Sequence, residues 1–262
     1  MSAGELSKQY QDSSNLSARQ RIYRFGNAQI PLGNFIMQHM DLPDRAQVLE
    51  LGCGHGTFWS NQQAWIAKRW KLYLTDLSHG MLLEAKQRLT PLGIVRFARA
   101  DAQHIPFTDH SFDAALASHM LYHVPDRQSA FGEVRRVLRP GGKFYAITNA
   151  LSHLRELKRL IESYVPGCVS VMENGGSIDW FCLETGADQM SRHFDSVELH
   201  RRPGELRVTD AQAVVDYAWS IDRVKAELPP QGLEQLRIQV QREIDKNGAF
   251  IIHTEVGMFT AR

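Results

Sequence analysis

Between residue 48 and about residue 149, short apolar runs alternate with longer stretches in which apolar and polar residues mix at helical spacing. Short apolar runs are typical of strands buried on both faces, and the mixed stretches are typical of the helices that cover them. The alternation therefore predicts βα units that build a parallel sheet. The predicted strands span residues 48–51, 72–75, 95–97, 112–117 and 144–148.

Two helices of this core have recognisable starts. Ser78 and Asp126 each precede an amphipathic stretch, and their side-chain oxygens can accept hydrogen bonds from the free N–H groups of a first helical turn. Pro140-Gly141-Gly142 is predicted to end the second helix. The positions predicted to face inward are Leu82, Ala85 and Leu89 in the first helix and Phe131, Val134 and Leu138 in the second.

Less regular segments flank this core. Residues 1–44 are predicted to form an amphipathic helical cap that ends near Pro43-Asp44. Residues 45–150 form the predicted core domain, and residues 151–262 are expected to complete its sheet and to supply a helical lid at about 203–247. The elements predicted after residue 150 are helices near 153–164 and 183–194 separated by a loop at 172–177, a strand at 196–201, two or three helices within 208–247 and a strand element at 249–260.

Composition narrows the class of protein. The 262 residues are 43% hydrophobic, which suits one α/β domain with a local elaboration. Lys and Arg number 30 against 29 Asp and Glu, and this balance argues against a general nucleic-acid binder. The three cysteines and the histidines lack metal-ligand spacing, so we expect reduced thiols and no metal site. Neither a signal-peptide pattern nor the roughly 20-residue apolar run of a membrane span is present, so we expect a cytoplasmic location.

A glycine-rich turn follows the first strand. Gly52, Gly54 and Gly56 come directly after Glu50, and they allow the backbone to turn sharply and to approach a ligand closely. The third glycine lies one residue too early for the Gly-x-Gly-x-x-Gly motif of nicotinamide-binding folds. A tight strand-to-helix turn without a ligand is the alternative interpretation.

Asp76 ends the second predicted strand, about 20 residues after Gly56. A carboxylate at this position can accept hydrogen bonds from both hydroxyls of a ribose. Capping of the next helix beside Ser78 is the alternative, and the two roles are compatible.

Several short motifs follow one another in order along residues 50–142. They are 50–56, Asp76, 99–102, 105–107, 111–113, 119–123 and 138–142. Together they resemble class I S-adenosylmethionine-dependent methyltransferases of the type 11 group, which are related to enzymes of quinone biosynthesis. The resemblance implies an α/β, Rossmann-like sheet of seven mostly parallel strands with an antiparallel last strand, helices on both faces and a helical substrate lid.

The resemblance also implies a cofactor, S-adenosylmethionine, with S-adenosylhomocysteine as the product. By this resemblance, the glycine turn would lie against the methionine part of the cofactor, Asp76 would hold the ribose, and residues after the third strand would meet the adenine. The cofactor-binding residues implied in this way are Tyr10, Glu50, Gly52, Cys53, Gly54, Gly56, Asp76, Leu77, Met81, Asp101, Ala102, Gln103, Ser118 and His119.

Candidate catalytic residues follow the fourth strand, at the edge where open α/β sheets bind ligands. His123 and His119 could act as a base if the methyl acceptor must lose a proton, whereas packing is the alternative for His123. Tyr10 and Tyr23 are expected either to close over the cofactor or to pack. Four aromatic residues beyond position 179 either line an acceptor pocket or form the core of the lid; they are Trp180, Phe181, Tyr217 and Trp219.

The expected function is methyl transfer by in-line displacement to oxygen, nitrogen or carbon of a small-molecule acceptor. Alignment of the reactants could supply roughly 7–11 kcal/mol of the barrier reduction. A non-catalytic module that senses S-adenosylmethionine, a nicotinamide dehydrogenase and an RNA methyltransferase are the alternatives. The glycine spacing argues against the dehydrogenase, the intact acids at 76 and 101 argue against a decayed enzyme, and the charge balance argues against a nucleic-acid substrate. The sequence does not indicate an oligomeric state.

Overall fold

The computed structural model describes residues 19–27, 30–66, 70–168 and 180–262. Tyr10 and the loop predicted at 172–177 lie outside the described residues. The strands are β1 Gln47–Leu51, β2 Lys71–Asp76, β3 Val95–Arg99, β4 Phe112–Ser118, β5 Leu138–Asn149, β6 Val197–Val208 and β7 Phe250–Ala261. The helices are α1 Leu32–His39, α2 Thr57–Ser60, α3 Gln63–Ile66, α4 His79–Leu89, α5 Arg127–Val137, α6 Arg155–Tyr164, α7 Gly186–Met190, α8 Ala211–Trp219, α9 Asp222–Glu227 and α10 Pro230–Asn247.

The seven strands form one sheet in the order β3-β2-β1-β4-β5-β7-β6. β1 to β5 pair in parallel, and β7 pairs antiparallel with both β5 and β6. The predicted mostly parallel sheet with an antiparallel last strand is confirmed. β1 and β4 are neighbours at the centre, so the turns after both strands open at the same edge of the sheet.

Helices cover both faces of the sheet. Leu49 and Leu51 of β1 join a buried apolar cluster that includes the inner side of α5, whereas Val48 points to the opposite face and joins a cluster with α1 and α4. The predicted caps are present, because Ser78 accepts from the Met81 N–H at 3.3 Å and Asp126 accepts from the Ser129 N–H at 3.1 Å. The ends of the strands therefore extend from a core that is packed on both faces.

A third apolar cluster lies beside the sheet. It joins α6, Ile22 of the short 3-10 turn Ile22–Phe25, and α8, α9 and α10, which are called the lid helices below because they lie in the segment predicted as a lid. These lid helices connect β6 to β7 in the chain. Pro230 occupies the first turn of α10, where the N–H that proline lacks would have no partner within the helix. None of the helices in the described ranges is long and apolar enough to cross a membrane.

Two predicted boundaries after residue 180 are wrong. The strand predicted at 196–201 continues to Val208, so residues 203–208 belong to β6 and not to the lid. Pro203 is tolerated because β6 is the edge strand of the sheet. No further strand of the sheet lies on its open side to need the N–H that proline lacks. The helix predicted at 183–194 is only Gly186–Met190, because the residues on either side of it, 183–185 and 191–193, form turns.

Candidate functional site

The glycine turn after β1 has the backbone that its sequence predicts. Gly52, Gly54 and Gly56 have φ angles of 66°, 53° and 75°, in the left-handed region that favours glycine. A Cβ at position 52 would lie 2.8 Å from the Met120 side chain, and one at position 56 would lie 2.7 Å from Leu89. A Cβ at position 54 would meet nothing within 4 Å, so this part of the turn faces open space. Cys53 is buried within the turn and its N–H donates to the Thr75 carbonyl at 2.9 Å.

Glu50 lies beneath this turn and is 2% exposed. Its Oε2 accepts a hydrogen bond from the Trp59 indole at 2.6 Å. Burial raises the pKa of this carboxyl to about 8, the Trp59 hydrogen bond lowers it, and the nearby charge of Asp76 raises it. Glu50 is therefore mostly protonated at neutral pH and would ionise beside a cation.

Asp76 ends β2 and binds the turn directly. One carboxylate oxygen accepts from the Gly54 N–H at 2.8 Å and the other from the Ser78 N–H at 2.8 Å. Burial raises the pKa of Asp76, and hydrogen bonds from Ser78, Gly54 and Leu77 N–H groups lower it. Each carboxylate oxygen has more than one lone pair, so these bonds leave acceptor capacity for a ligand.

The residues expected near an adenine lie along the ends of β2 and β3. Leu77 is 43% exposed, whereas the Met81 and Ala102 side chains are buried. The Asp101 carboxylate accepts from the backbone N–H of Gln103 at 2.9 Å and from its side-chain amide at 3.0 Å. An adenine amino group that approached Asp101 would compete with the Gln103 amide.

The turn after β4 brings two histidines to the same edge. His119 has a φ of 53°, which is uncommon for a residue with a Cβ, and its N–H donates to the Ile147 carbonyl at 3.0 Å. Burial lowers the pKa of both His119 and His123 to about 4. Both imidazoles are therefore neutral at neutral pH and can accept a proton, although as weak bases. The Tyr122 ring stacks on Trp180, with ring centroids 5.1 Å apart.

His153 lies beside these residues, and the sequence pattern did not single it out. It follows β5, is 3% exposed, and its Nε2 lies 2.9 Å from the Tyr23 hydroxyl. Its position after a central strand is the one signal in the sequence. Tyr23 and His153, together with the neighbouring His119, Tyr122 and Tyr217, are called the tyrosine–histidine cluster below.

The strand ends thus bring together three features. These are the glycine turn with two buried carboxyls, the surface around Leu77 and Asp101, and the tyrosine–histidine cluster. Met120 connects the first to the third, because it contacts Gly52 and adjoins His119. Within the described ranges, no group of three or more His, Cys, Asp or Glu side chains is arranged to hold a metal ion. The arrangement places hydrogen-bond acceptors suited to a polar, nucleoside-like ligand beside a cluster of aromatic and imidazole side chains.

The chain is similar in sequence to known methyltransferases. Residues 49–146 match the family model of a methyltransferase domain. Methyltransferase GfsG of Streptomyces halstedii is 34% identical over 113 residues, which cover 41% of this chain and 39% of that protein. The ubiquinone/menaquinone biosynthesis C-methyltransferase UbiE of Haemophilus ducreyi is 26% identical over 164 residues, covering 62% of this chain and 61% of that protein. The chain thus matches less than two thirds of the length of these relatives.

A solved structure shares the fold. It is phosphoethanolamine N-methyltransferase 2 of Haemonchus contortus, in complex with phosphomonomethylethanolamine and S-adenosylhomocysteine. The TM-score is 0.61 at 17% sequence identity, and the match covers 100% of this chain and 60% of that one.

Proposed function

We propose that the chain transfers a methyl group from S-adenosylmethionine to a small-molecule acceptor, on the premise that residues 49–146 match the family model of a methyltransferase domain. The observation that carries this proposal is the contact between the two strand ends, in which Asp76 accepts a hydrogen bond from the Gly54 N–H at the open part of the glycine turn. This contact holds an acid and a bare backbone side by side at the edge where sheets of this type bind ligands.

The residues of the turn fit S-adenosylmethionine. Gly54 faces open space, so the methionine part can approach the backbone there. Glu50 is buried and mostly protonated, and it would ionise beside the ammonium group. Asp76 keeps acceptor capacity for ribose hydroxyls, and Leu77 offers an exposed apolar surface to one face of the adenine. Asp101, Ala102 and Gln103 would meet the adenine edge.

When bound, the cofactor supplies an activated methyl group on a sulfonium. The chain then has to hold the acceptor in line with that group and to exclude water from it. The neutral His119 and His123 imidazoles are the groups that we propose to take a proton from the acceptor where one must leave. Ser118 and His119 would border the methyl group, since Ser118 ends β4 next to β1 and His119 follows it.

The acceptor is expected to lie between the core and the lid. The domain boundaries that we propose are a cap at 1–44, a cofactor-binding core at 45–150, and a remainder in which the helices of 211–247 cover the acceptor. UbiE is named as a C-methyltransferase and the Haemonchus protein as an N-methyltransferase, so these names do not fix the acceptor atom of this chain. We also propose a cytoplasmic location, which the three unpaired and buried cysteines support.

Calorimetric titration with S-adenosylmethionine, S-adenosylhomocysteine and NADH tests the proposal. We expect saturable binding of the first two and none of NADH. Transfer of a labelled methyl group to a panel of oxygen, nitrogen and carbon acceptors should then identify the substrate. Binding without transfer to any acceptor would favour a sensing module, and binding of NADH alone would refute the cofactor.

A further inference from the structure

Tyr23 and His153 form a polar pair that the cofactor site does not use. The Tyr23 hydroxyl lies 2.9 Å from His153 Nε2, and the Glu255 backbone N–H lies 3.1 Å from His153 Nδ1. His153 is 3% exposed, whereas the Tyr23 side chain is 43% exposed. The pair therefore has a buried end on β7 and an accessible end at Tyr23.

The backbone contact fixes the direction of both hydrogen bonds. A backbone N–H can only donate, so His153 Nδ1 must accept and cannot carry a hydrogen. Burial lowers the pKa of His153 to about 3, so the ring is neutral and its one hydrogen is on Nε2. His153 Nε2–H then donates to the Tyr23 oxygen, and the Tyr23 O–H must point away from His153.

The pair lies next to the proposed methyl-transfer site. The His119 N–H donates to the Ile147 carbonyl of β5 at 3.0 Å, and His153 follows the end of the same strand, where Glu255 of β7 bonds both Ala150 and His153. The residue after His119, Met120, lies against Gly52 of the glycine turn. An unionised phenol is the ordinary form of tyrosine at neutral pH. Tyr23 is thus a neutral hydrogen-bond donor and not a base.

The Tyr23 ring is also held in place. Ile22 before it is fully buried in the lid cluster, and Arg24 after it forms an ion pair with Asp210 at 2.9 Å. Two backbone contacts attach the following residues to β6, the Gly26–Leu206 bridge and the Asn27 N–H to Glu205 carbonyl bond at 3.1 Å. A donor fixed in this way can orient a ligand at little entropic cost.

We propose that Tyr23 donates a hydrogen bond to an oxygen of the methyl acceptor, and that His153 is the residue that orients this donor. The inference rests on the proposed methyltransferase function and narrows it to acceptors that carry a hydrogen-bond-accepting oxygen near the atom that receives the methyl group. Tyr23 contacts the acceptor, and His153 is a positioning residue that acts through Tyr23.

Binding of a probe tests the donor. The probe is 4-nitrophenolate, titrated calorimetrically into the protein saturated with S-adenosylhomocysteine, with nitrobenzene as the matched probe that lacks the phenolate oxygen. We expect Tyr23→Phe to weaken 4-nitrophenolate binding roughly tenfold or more, as for loss of a hydrogen bond to a charged group, and to leave nitrobenzene binding unchanged. Tyr164→Phe is the control. Tyr164 lies on α6, outside the tyrosine–histidine cluster, and its hydroxyl donates to the Gln239 side chain at 2.8 Å.

His153 variants test the positioning role. His153→Gln keeps an N–H donor near the Nε2 position and should retain most of the Tyr23-dependent binding, whereas His153→Leu should lose it. Because the residues act as a pair, Tyr23→Phe combined with His153→Leu should weaken binding no more than either single change does. Additive losses would overturn the positioning role.

Nitrogen-15 NMR of histidine-labelled protein reads the tautomer without any ligand. We expect one histidine, identified by its absence in His153→Gln, to carry its hydrogen on Nε2 and to stay neutral at pH 6. A hydrogen on Nδ1 would overturn the inference, as would equal 4-nitrophenolate affinities in Tyr23→Phe and wild type or no binding to wild type. Loss of S-adenosylhomocysteine binding by the wild-type protein would instead refute the proposed function, which separates the two failures.

Discussion

Glu50 and Asp76 reach the glycine turn from the neighbouring strands β1 and β2. The two carboxyls have different hydrogen-bond partners, because Glu50 accepts from an indole and Asp76 accepts from backbone N–H groups. Their proximity makes it costly to ionise both, and the more deeply buried Glu50 keeps its proton. A cationic ligand would remove this cost. We therefore expect Glu50 to affect how stability depends on pH and Asp76 to affect the affinity for the cofactor.

Glu50 should make the stability of the ligand-free protein depend on pH. Its pKa is about 8 in the folded chain, above the ordinary value of 4.5, so the folded chain holds a proton that the unfolded chain loses between these pH values. The free energy of unfolding should therefore fall as pH rises through this window, by up to about 1.4 kcal/mol per pH unit from this group. Glu50→Gln should flatten the curve measured by urea unfolding from pH 5 to pH 9. An unchanged slope would contradict the assignment.

Asp76 should govern affinity for the cofactor. Asp76→Asn keeps the shape of the side chain but removes the charge and one acceptor oxygen, so S-adenosylhomocysteine should bind roughly tenfold more weakly or worse. Calorimetry measures the affinity, and Asp222→Asn at the exposed start of α9 is the control. Equal affinities for Asp76→Asn and wild type would exclude the ribose role.

His123 should affect turnover more than binding. His123→Ala removes a neutral imidazole beside Tyr122, so methyl transfer to an acceptor that must lose a proton should slow by roughly 100-fold or more. The affinity for S-adenosylhomocysteine should not change. The check is a single-turnover assay together with calorimetry, and unchanged turnover would leave His123 a packing residue.

At the level of elements, the glycine turn fixes the distance between β1 and α4. Gly56 starts α2 and lies against Leu89 and Ala85 of α4, so a side chain at this position would push α4 away from the sheet. The same turn carries the open surface at Gly54. Packing on one side and ligand access on the other therefore depend on the same seven residues, 50–56.

Gly56→Ala should destabilise the protein by more than the backbone strain of the left-handed conformation alone. The φ angles of Gly56 and Gly93 are 75° and 69°, so alanine at either position pays about 1–2 kcal/mol of left-handed strain. At position 56 the new Cβ also meets Leu89 at 2.7 Å, whereas at position 93 it meets nothing within 4 Å. Gly56→Ala should therefore lower the free energy of unfolding, measured in urea, by about 1–3 kcal/mol more than Gly93→Ala does. Equal losses would show that α4 moves freely.

Much of the core was predictable from the sequence because its signals are local. The strands and caps of 48–149 follow from apolar runs and from Ser78 and Asp126, and they are found within a few residues of the prediction, apart from the start of β5. The prediction for the end of α5 is wrong, because this helix ends at Val137, and Leu138 and Pro140-Gly141-Gly142 belong to β5. The extent of β6 was not predictable, since Pro203-Gly204 suggests a turn unless the strand is known to lie at the sheet edge. The Tyr23–His153 pair was also hidden, because its members are 130 residues apart.

Across the whole molecule, the segment around Ile22 connects the lid to the sheet. Ile22 is buried among lid side chains, while Gly26 and Asn27 pair with β6 and Arg19 donates to Ser220 at the end of α8. The lid therefore rests on both the β6–β7 edge and this segment. Its stability should depend on residues far from it in the sequence.

Ile22→Ala should destabilise the molecule through the lid. The side chain is fully buried, so its truncation should lower the free energy of unfolding by roughly 2–5 kcal/mol. Ile30→Ala is the matched control, because Ile30 is 39% exposed and its loss should cost about 1 kcal/mol or less. Urea unfolding gives both values, and hydrogen exchange should show faster opening of α8 in Ile22→Ala. Equal decreases in the free energy of unfolding for the two variants would show that Ile22 does not stabilise the lid.

The position of β7 has a consequence for protein synthesis. β7 lies between β5 and β6, although it is the last of the seven strands to be made. While the ribosome adds residues 150 to 249, β5 has an unpaired edge and β6 has no neighbour in the sheet. Unpaired strand edges promote aggregation. A nascent chain stalled within α10 should therefore need a chaperone to remain unaggregated, and its sheet should close only after residues 250–261 leave the exit tunnel.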